Sequence, residues 1–242
     1  MFTKYITTQP INLFEQLRQA CIFEALSDNR QGAILVCHNV EEQLIPIVRT
    51  TTRHKLQSQP FADIHHHLVR DVRSVTGIQS LDFNNAMAEI YDPTYIKMSY
   101  HTDQALDLAV DSWICLFSCY EDPNEPFPRK LVVKDKESQA VSEHTLDHGS
   151  CILFSASDNA GNLHKIVAGK DRSRGRWLGV TFRLSRTFVK EDVEGRFWFA
   201  DSLKELTMAT ETEKREMYRL KKLENASVRF AYPEITYTLS RP

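Results

Sequence analysis

The sequence predicts a mainly β fold with flanking helices, a sandwich or small barrel, and three observations point there. From about residue 83, apolar residues alternate with period two over short segments rich in Ile, Val, Phe, Tyr and Trp. Turn-forming clusters separate those segments: DPT at 92–94, EDPNEPFP at 121–128, DNAGN at 158–162 and GKDRSRG at 169–175. The chain on either side of this region instead repeats apolar residues at helical spacing or carries dense charge of both signs.

In chain order, a helix is expected over 11–26 from Ile11, Phe14, Leu17, Cys21 and Ala25, with Asn29 and Gly32 as its stop. AILVCH (33–38) and LIPIVRTTT (44–52) read as strands, and Phe61, Ile64, Leu68, Val69 and Val72 predict a second helix over 61–76. Strands are then expected at 86–91, 95–100, 112–120, 130–135, 150–155, 163–167 and 176–189. This spacing fits a sandwich or small barrel. Beyond residue 200, SLKELTMATETEKREMYRLKKLENA reads as a helix whose Glu211, Glu213, Lys214, Arg215, Arg219, Lys221 and Lys222 form an exposed face; SVRFAYPEITYTL follows as a strand-like tail. With no repeat, low-complexity stretch or linker, one domain is expected over 1–242. Its helical N-terminal part runs to about 82, its β core over about 83–190 and its C-terminal extension over about 191–242.

A chain of 242 residues, 42% hydrophobic and 26% charged, has the composition of a soluble globular protein. No window reaches the roughly 18 apolar residues of a membrane helix. The first sixteen residues carry one lysine and no apolar core of a signal peptide, so a cytoplasmic or nuclear location is expected. Cys21, Cys37, Cys115, Cys119 and Cys151 are odd in number, without paired-motif spacing, and read as buried thiols. A net charge of −2 predicts no long-range attraction to nucleic acid.

The chemistry-bearing segment is SYHTDQ, 99–104. In extended backbone, residues i and i+2 share a face, so His101 and Asp103 present an imidazole and a carboxylate side by side. A third, neutral imidazole would complete the two-His, one-carboxylate set of non-haem Fe(II) oxygenases, which leaves three adjacent positions for cosubstrate and O2. His164, in NLHKIV, supplies it. The pattern H-x-D alone also describes a surface histidine beside a turn aspartate, and a lone His164 would read as a half-buried, satisfied histidine. Twelve residues beyond His164 begins RWLGVTFRLS, with Arg176, Arg183 and Ser185. A buried dicarboxylate needs a guanidinium fork, preferably beside a hydroxyl, and Arg183 and Ser185 lie two apart on one expected strand.

From about 46 to 189 the sequence resembles the AlkB family of Fe(II)/2-oxoglutarate dioxygenases. The resemblance is carried by FNNAMAEIYDPTYIKMSYHTD, by EHTLDHGSCILFSASDNAGNLHKIV and by VTFRLS, with one extra residue between Tyr91 and His101. IPIVRTTTRH resembles part of that family's lid over the substrate. The resemblance implies a double-stranded β-helix (jelly-roll) core, iron held by His101, Asp103 and His164, and 2-oxoglutarate contacted by Tyr91 and Arg183. It implies 2-oxoglutarate decarboxylation with O2, coupled to hydroxylation or oxidative N-demethylation of an alkylated nucleobase. Three positions depart from the family pattern. Glu89 stands where the family places Asn, a poor neighbour for a dianion unless it turns away. The family's first cosubstrate Arg falls on Trp177, so that either a bulge re-aims Arg176 or Arg183 and Ser185 anchor alone. Ala105 replaces an acidic residue associated with base recognition. That departure and the near-neutral charge suit a hydroxylase of a small metabolite or protein side chain; a non-catalytic jelly-roll binding module is the third expectation.

Other clusters read as structural. His65, His66 and His67 fan around a helix and cannot converge on one ion. His144 and His148 would chelate only in a helix, whereas TLDHGS reads as a turn. Cys115 and Cys119 share one face of a strand and read as core. Lys170, Arg172, Arg174 and Arg176 would steer an acidic substrate or form a solvated loop.

Overall fold

The computed structural model describes residues 1–10, 12–38, 41–96, 98–169 and 174–242. Ile11, Lys170 and Arg172, used above, lie outside the described residues. The chain opens with β1 (Thr3–Ile6), α1 (Leu13–Gln19), the hairpin of β2 (Glu24–Ser27) and β3 (Arg30–Val36), then β4 (Ile45–Ile47), β5 (Gln59–Pro60) and α2 (Asp63–Thr76). The core follows as β6 (Asn85–Tyr91), β7 (Trp113–Tyr120), β8 (Lys130–Asp135), β9 (Val141–Thr145), β10 (Ser150–Ser155), α3 (Ala156–Gly161), β11 (Asn162–Val167) and β12 (Trp177–Arg183). β13 (Thr187–Glu191), β14 (Phe197–Phe199), β15 (Glu205–Met208), α4 (Glu211–Ala226) and β16 (Tyr237–Thr238) complete it.

The architecture is mainly β with flanking helices, as expected, and its core is a jelly roll. A large sheet runs β1-β10-β7-β12-β6-β3-β2, and a small sheet runs β11-β8-β9. Period-two alternation sorts each strand of the large sheet. Cys115, Phe117 and Cys119 of β7 and Leu178, Val180 and Phe182 of β12 point outward, where Leu13, Phe14 and Leu17 of α1 and Leu68, Val69 and Val72 of α2 cover them. Ile114 and Leu116 of β7 point inward with Trp177, and meet Leu131 and Val133 of β8 and Ile166 of β11 between the sheets. Packing at this interface, with the helices confined to the outside, leaves the space between the sheets for side chains from both.

Several expectations change. The helix expected over 11–26 ends at Gln19, and Glu24–Ser27 is instead a strand paired with β3. There the Glu24 carboxylate accepts the backbone N–H groups of Lys55 and Leu56, which a helical Glu24 would not reach. In the segment 95–100, the described residues 95–96 and 98–100 lie in no strand, and a turn joins the Tyr95 N–H to the Asp92 carbonyl. The expected strand 176–189 breaks between Arg183 and Thr187, and residues 141–145, for which no strand is expected, form β9 against β8. In the C-terminal part, β15 precedes α4, whose start is fixed by a reciprocal Thr210–Glu213 capping box. Of the tail, only Tyr237–Thr238 is a strand.

α2 follows the expected pattern and ends at Gly77, whose φ of 70° a side chain would oppose. His65 is buried, and its Nδ1 accepts the Ala62 N–H at 2.9 Å, closing the helix start. Burial, with His66 adding to it, pushes the His65 pKa down to about 4. His66 and His67 are exposed, so the three histidines do not converge. Among the described residues, no helix is long and apolar enough to cross a membrane.

Candidate metal centre

One loop and one sheet edge build the site. The His101 N–H donates to the His164 carbonyl at 3.0 Å, and the His164 N–H donates to the His101 carbonyl at 2.7 Å. This antiparallel bridge adds residue 101 to the edge of β11 and turns both imidazoles to the same side. Their ring centroids lie 4.7 Å apart. Two residues further on, Asp103 sets Oδ1 3.7 Å from His164 Nε2. One ligand atom from each of His101, Asp103 and His164 lies within 4.8 Å of the other two, the convergence the sequence predicts.

Two of the donors, His101 and Asp103, are prepared for a cation. His101 Nδ1 lies 3.0 Å from the Ser99 carbonyl; donating its proton there leaves the Nε2 lone pair free. Burial, reinforced by the neighbouring His164, pushes the His101 pKa down to about 3, so this ring is neutral at physiological pH. Burial by itself would raise the Asp103 pKa, but the Arg183 guanidinium and His164 outweigh it and hold the carboxyl well below the carboxylate range. Arg183 Nε donates to Asp103 Oδ2 at 3.0 Å. That bond leaves Oδ1 for a metal. Two imidazoles and one carboxylate on one side of an ion are a donor set suited to Fe(II), and the residues present fit that ion.

The segment carrying His101 and Asp103 has no strand of its own, so side chains hold it. Asn159, buried on α3, donates from Nδ2 to the Asp103 carbonyl at 2.8 Å and accepts the Asp103 N–H at 2.7 Å. Asn225 Oδ1 accepts the Thr102 N–H at 3.0 Å. Lys221 Nζ donates to the Thr102 carbonyl at 2.6 Å and to Glu224 at 2.6 Å, and Glu224 also accepts the Ala105 N–H at 2.8 Å. Lys221 therefore leaves the exposed charged face expected of α4: it is buried, because its partners lie under the helix. Burial pulls its pKa down against the opposing pull of Glu224. These holders went unread because a lysine and a glutamate within KREMYRLKKLENA look solvated. Their one signal is position, since Lys221 and Glu224 continue the stripe of Met217 and Leu220.

Behind the three donors lies an enclosed chamber of about 40 Å³, lined by Glu89, Tyr91, Leu116, Leu131, Phe154 and Arg183 among others. In front lies a vestibule of about 340 Å³, reached past Arg30, Thr50–Thr52, Tyr95 and Lys221. His101, Asp103, Arg183 and Glu89 border both. Thr50–Thr52 belong to the segment read as a lid.

Tyr91 and Arg183 line the chamber. Ser185 does not share it. β12 ends at Arg183, the alternation stops, and Ser185 pairs with Leu108 while its hydroxyl donates to the Ile47 carbonyl at 2.5 Å. Arg176 is also elsewhere. It forks onto Glu121 at 3.0 and 2.7 Å and lies over the Phe14 ring on the outer side. No bulge re-aims it, because β12 and β6 pair without interruption from Trp177–Tyr91 to Arg183–Asn85. The inner-face position belongs to Trp177, whose indole donates to Ser118 Oγ at 2.5 Å. Glu89 does not turn away from the chamber: it accepts from the Tyr91 hydroxyl at 3.0 Å and from Arg30 Nε at 2.6 Å. Cys115 and Cys119 are core, as read, and His144 lies in β9 with His148 in the turn beyond it.

No family model matches the sequence, and no curated protein matches it. Among solved structures, the chain is similar to a Pseudomonas putida prolyl-4-hydroxylase, with a TM-score of 0.43 and 10% identity over 76% of this chain and 92% of that one. It is also similar to OsALKBH1, with a TM-score of 0.48 and 12% identity over 72% of this chain and 91% of that one. At such distances the functional reading has to come from the side chains of the site.

Proposed function

We propose that the chain is an Fe(II)-dependent dioxygenase that uses 2-oxoglutarate and O2 to hydroxylate a small, uncharged polar group on a metabolite or protein side chain. The observation that carries this reading is the convergence of His101, Asp103 and His164 at the mouth of an enclosed chamber. Iron held by these residues supplies O2 activation coupled to decarboxylation of the 2-oxo acid. The chain's own groups do the rest. Ser99 and Asn159 fix the orientation of His101 and Asp103, and Arg183 keeps Asp103 ionised through Oδ2. Arg183 also borders the chamber as the cation nearest the donors, where it meets the cosubstrate. Leu116, Leu131 and Phe154 exclude water from the inner side.

The vestibule supports an uncharged substrate. Of its described cations, Arg30 is held by Glu89, Arg183 by Asp103 and Lys221 by Glu224, so each already has a carboxylate. Thr50, Thr51, Thr52 and Tyr95 offer neutral hydrogen-bonding groups. The resemblance supports a second reading, an alkylated nucleobase, which would engage the Arg174 loop. Anaerobic titration of the protein with Fe(II) and 2-oxoglutarate tests the first step; the expected outcome is a weak visible charge-transfer band that His101→Ala abolishes. Succinate release on adding small polar metabolites or peptides supports the proposed substrate class. Release only with alkylated oligonucleotide, with salt-dependent binding, overturns that class in favour of the nucleobase.

A further inference from the structure

We infer that Arg129 is the cation that binds the distal carboxylate of the 2-oxo diacid, at the closed end of the jelly roll. The inference rests on the reading above and names a residue that neither motif nor spacing singles out. Arg129 has no exposed surface. It lies two residues before Leu131, and its carbonyl accepts the Leu146 N–H, so the extended backbone of β8 continues through it. Alternation therefore puts Arg129 on the inner face with Leu131 and Val133.

Its charge has no carboxylate partner among the described residues. Nη1 and Nη2 donate to the carbonyls of Tyr95 and Asp92 at 2.7 and 2.8 Å, while Nε is buried with no acceptor. Burial pulls its pKa down, as for a cation that water no longer reaches. A buried guanidinium left in this state is costly, and the cost is recovered when an anion completes it. The other inner-face charges cancel in pairs, Arg30 with Glu89 and Arg183 with Asp103. The excess positive charge of the interior is thus at Arg129. Its guanidinium lies 5.4 Å from the centroid of the Tyr91 ring, and Tyr91 lines the chamber. On β12, the strand of Arg183, the inner-face position at this end carries the neutral indole of Trp177; β8, in the small sheet, supplies the charge instead. A 2-oxo acid whose keto end meets the metal donors would point its second carboxylate away from them, and the closed end is where Arg129 waits. Pairing with a charged donor of this kind is worth roughly 10- to 100-fold in affinity.

The test uses the full chain loaded anaerobically with Fe(II), read by the visible charge-transfer band and independently by calorimetry. 2-Oxoglutarate is compared with 2-oxobutyrate, which has the same keto-acid end and no second carboxylate. The wild type is expected to bind 2-oxoglutarate at least about 10-fold more tightly. Arg129→Gln should erase that preference while leaving 2-oxobutyrate within about 3-fold, and Arg129→Lys should restore part of it. Equal loss for both ligands marks Arg129 as merely structural and overturns the inference, as does unchanged 2-oxoglutarate affinity. If Arg129→Gln does not fold, the wild-type preference and the Arg129→Lys value decide. Absence of preference in the wild type overturns the role of Arg129 alone; absence of any band with either acid overturns the cosubstrate reading itself, and this inference with it.

Discussion

The two faces of the large sheet obey different rules. Outward, β6, β7 and β12 present Ala86, Ala88, Ile90, Cys115, Phe117, Cys119, Leu178, Val180 and Phe182, all apolar and all covered by α1 and α2. Inward, the same three strands present Glu89, Tyr91, Ser118, Thr181 and Arg183 among the apolar residues. The outer face is held by burial of apolar area, which is non-directional and tolerant. The inner face is held by hydrogen-bonded charges, where removing one partner strands the other. The contrast teaches that one sheet can carry stability on one side and a preorganised site on the other without either compromising the other's pattern.

The comparison breaks first, and most heavily, on the outer face. Phe117→Ala should cost about 3–5 kcal/mol in chemical denaturation while the surviving folded protein binds Mn(II) with unchanged affinity. A large loss of metal affinity with little loss of stability would reverse the assignment of the faces. The converse substitution, His164→Ala, should lower Mn(II) affinity by more than about 100-fold and move the unfolding free energy by about 1 kcal/mol or less. Isothermal titration beside a urea melt reads both.

The pH response sharpens the contrast from the helical layer. His65 has a folded pKa of about 4 against about 6.5 in the unfolded chain, so the unfolded state binds the proton first. The stability it contributes is intact above pH 6.5 and is lost as pH falls towards 4. At pH 5 that loss is about 2 kcal/mol. His65→Gln keeps an acceptor for the Ala62 N–H and removes the titration; its thermal midpoint should fall less between pH 7 and pH 5 than the wild type's. Equal falls would relocate the effect to other groups, among them His54 and His101, whose pKa values burial also lowers. The smallest expected effect is that of Asn159→Ala, which frees the Asp103 backbone from its clasp. It should weaken Mn(II) binding by about 10-fold, with the fold retained, and a titration of metal against the folded variant measures it.

What could be read from the sequence follows the same division. The core strands were legible because period-two apolar runs between turns have one structural meaning, and 130–135 and 150–155 match β8 and β10 to the residue. The convergence of His101, Asp103 and His164 was legible because H-x-D fixes two side chains on one face, and a distant histidine on an apolar strand supplies the third. Ser185 was misplaced because alternation holds only while the strand lasts, and β12 stops at Arg183. Arg176 was misplaced because a guanidinium next to an expected strand says nothing about which carboxylate claims it, and Glu121 does. Glu24 looked helical by spacing, yet its carboxylate answers N–H groups some thirty residues away in Lys55 and Leu56, contacts that local pattern does not encode. Lys221, Glu224 and Asn225 share that reason: their partners are in the segment 102–105, far off in the chain.

The paired amides and carbonyls of His101 and His164 give the site one more property. Slipping either stretch by a single residue would rotate its imidazole to the opposite side, so the centre exists only when that edge is in correct register. An ion seated there would act as a rivet and as a proof of assembly, because it could be captured only after two remote stretches had aligned, and once captured it would keep them from parting.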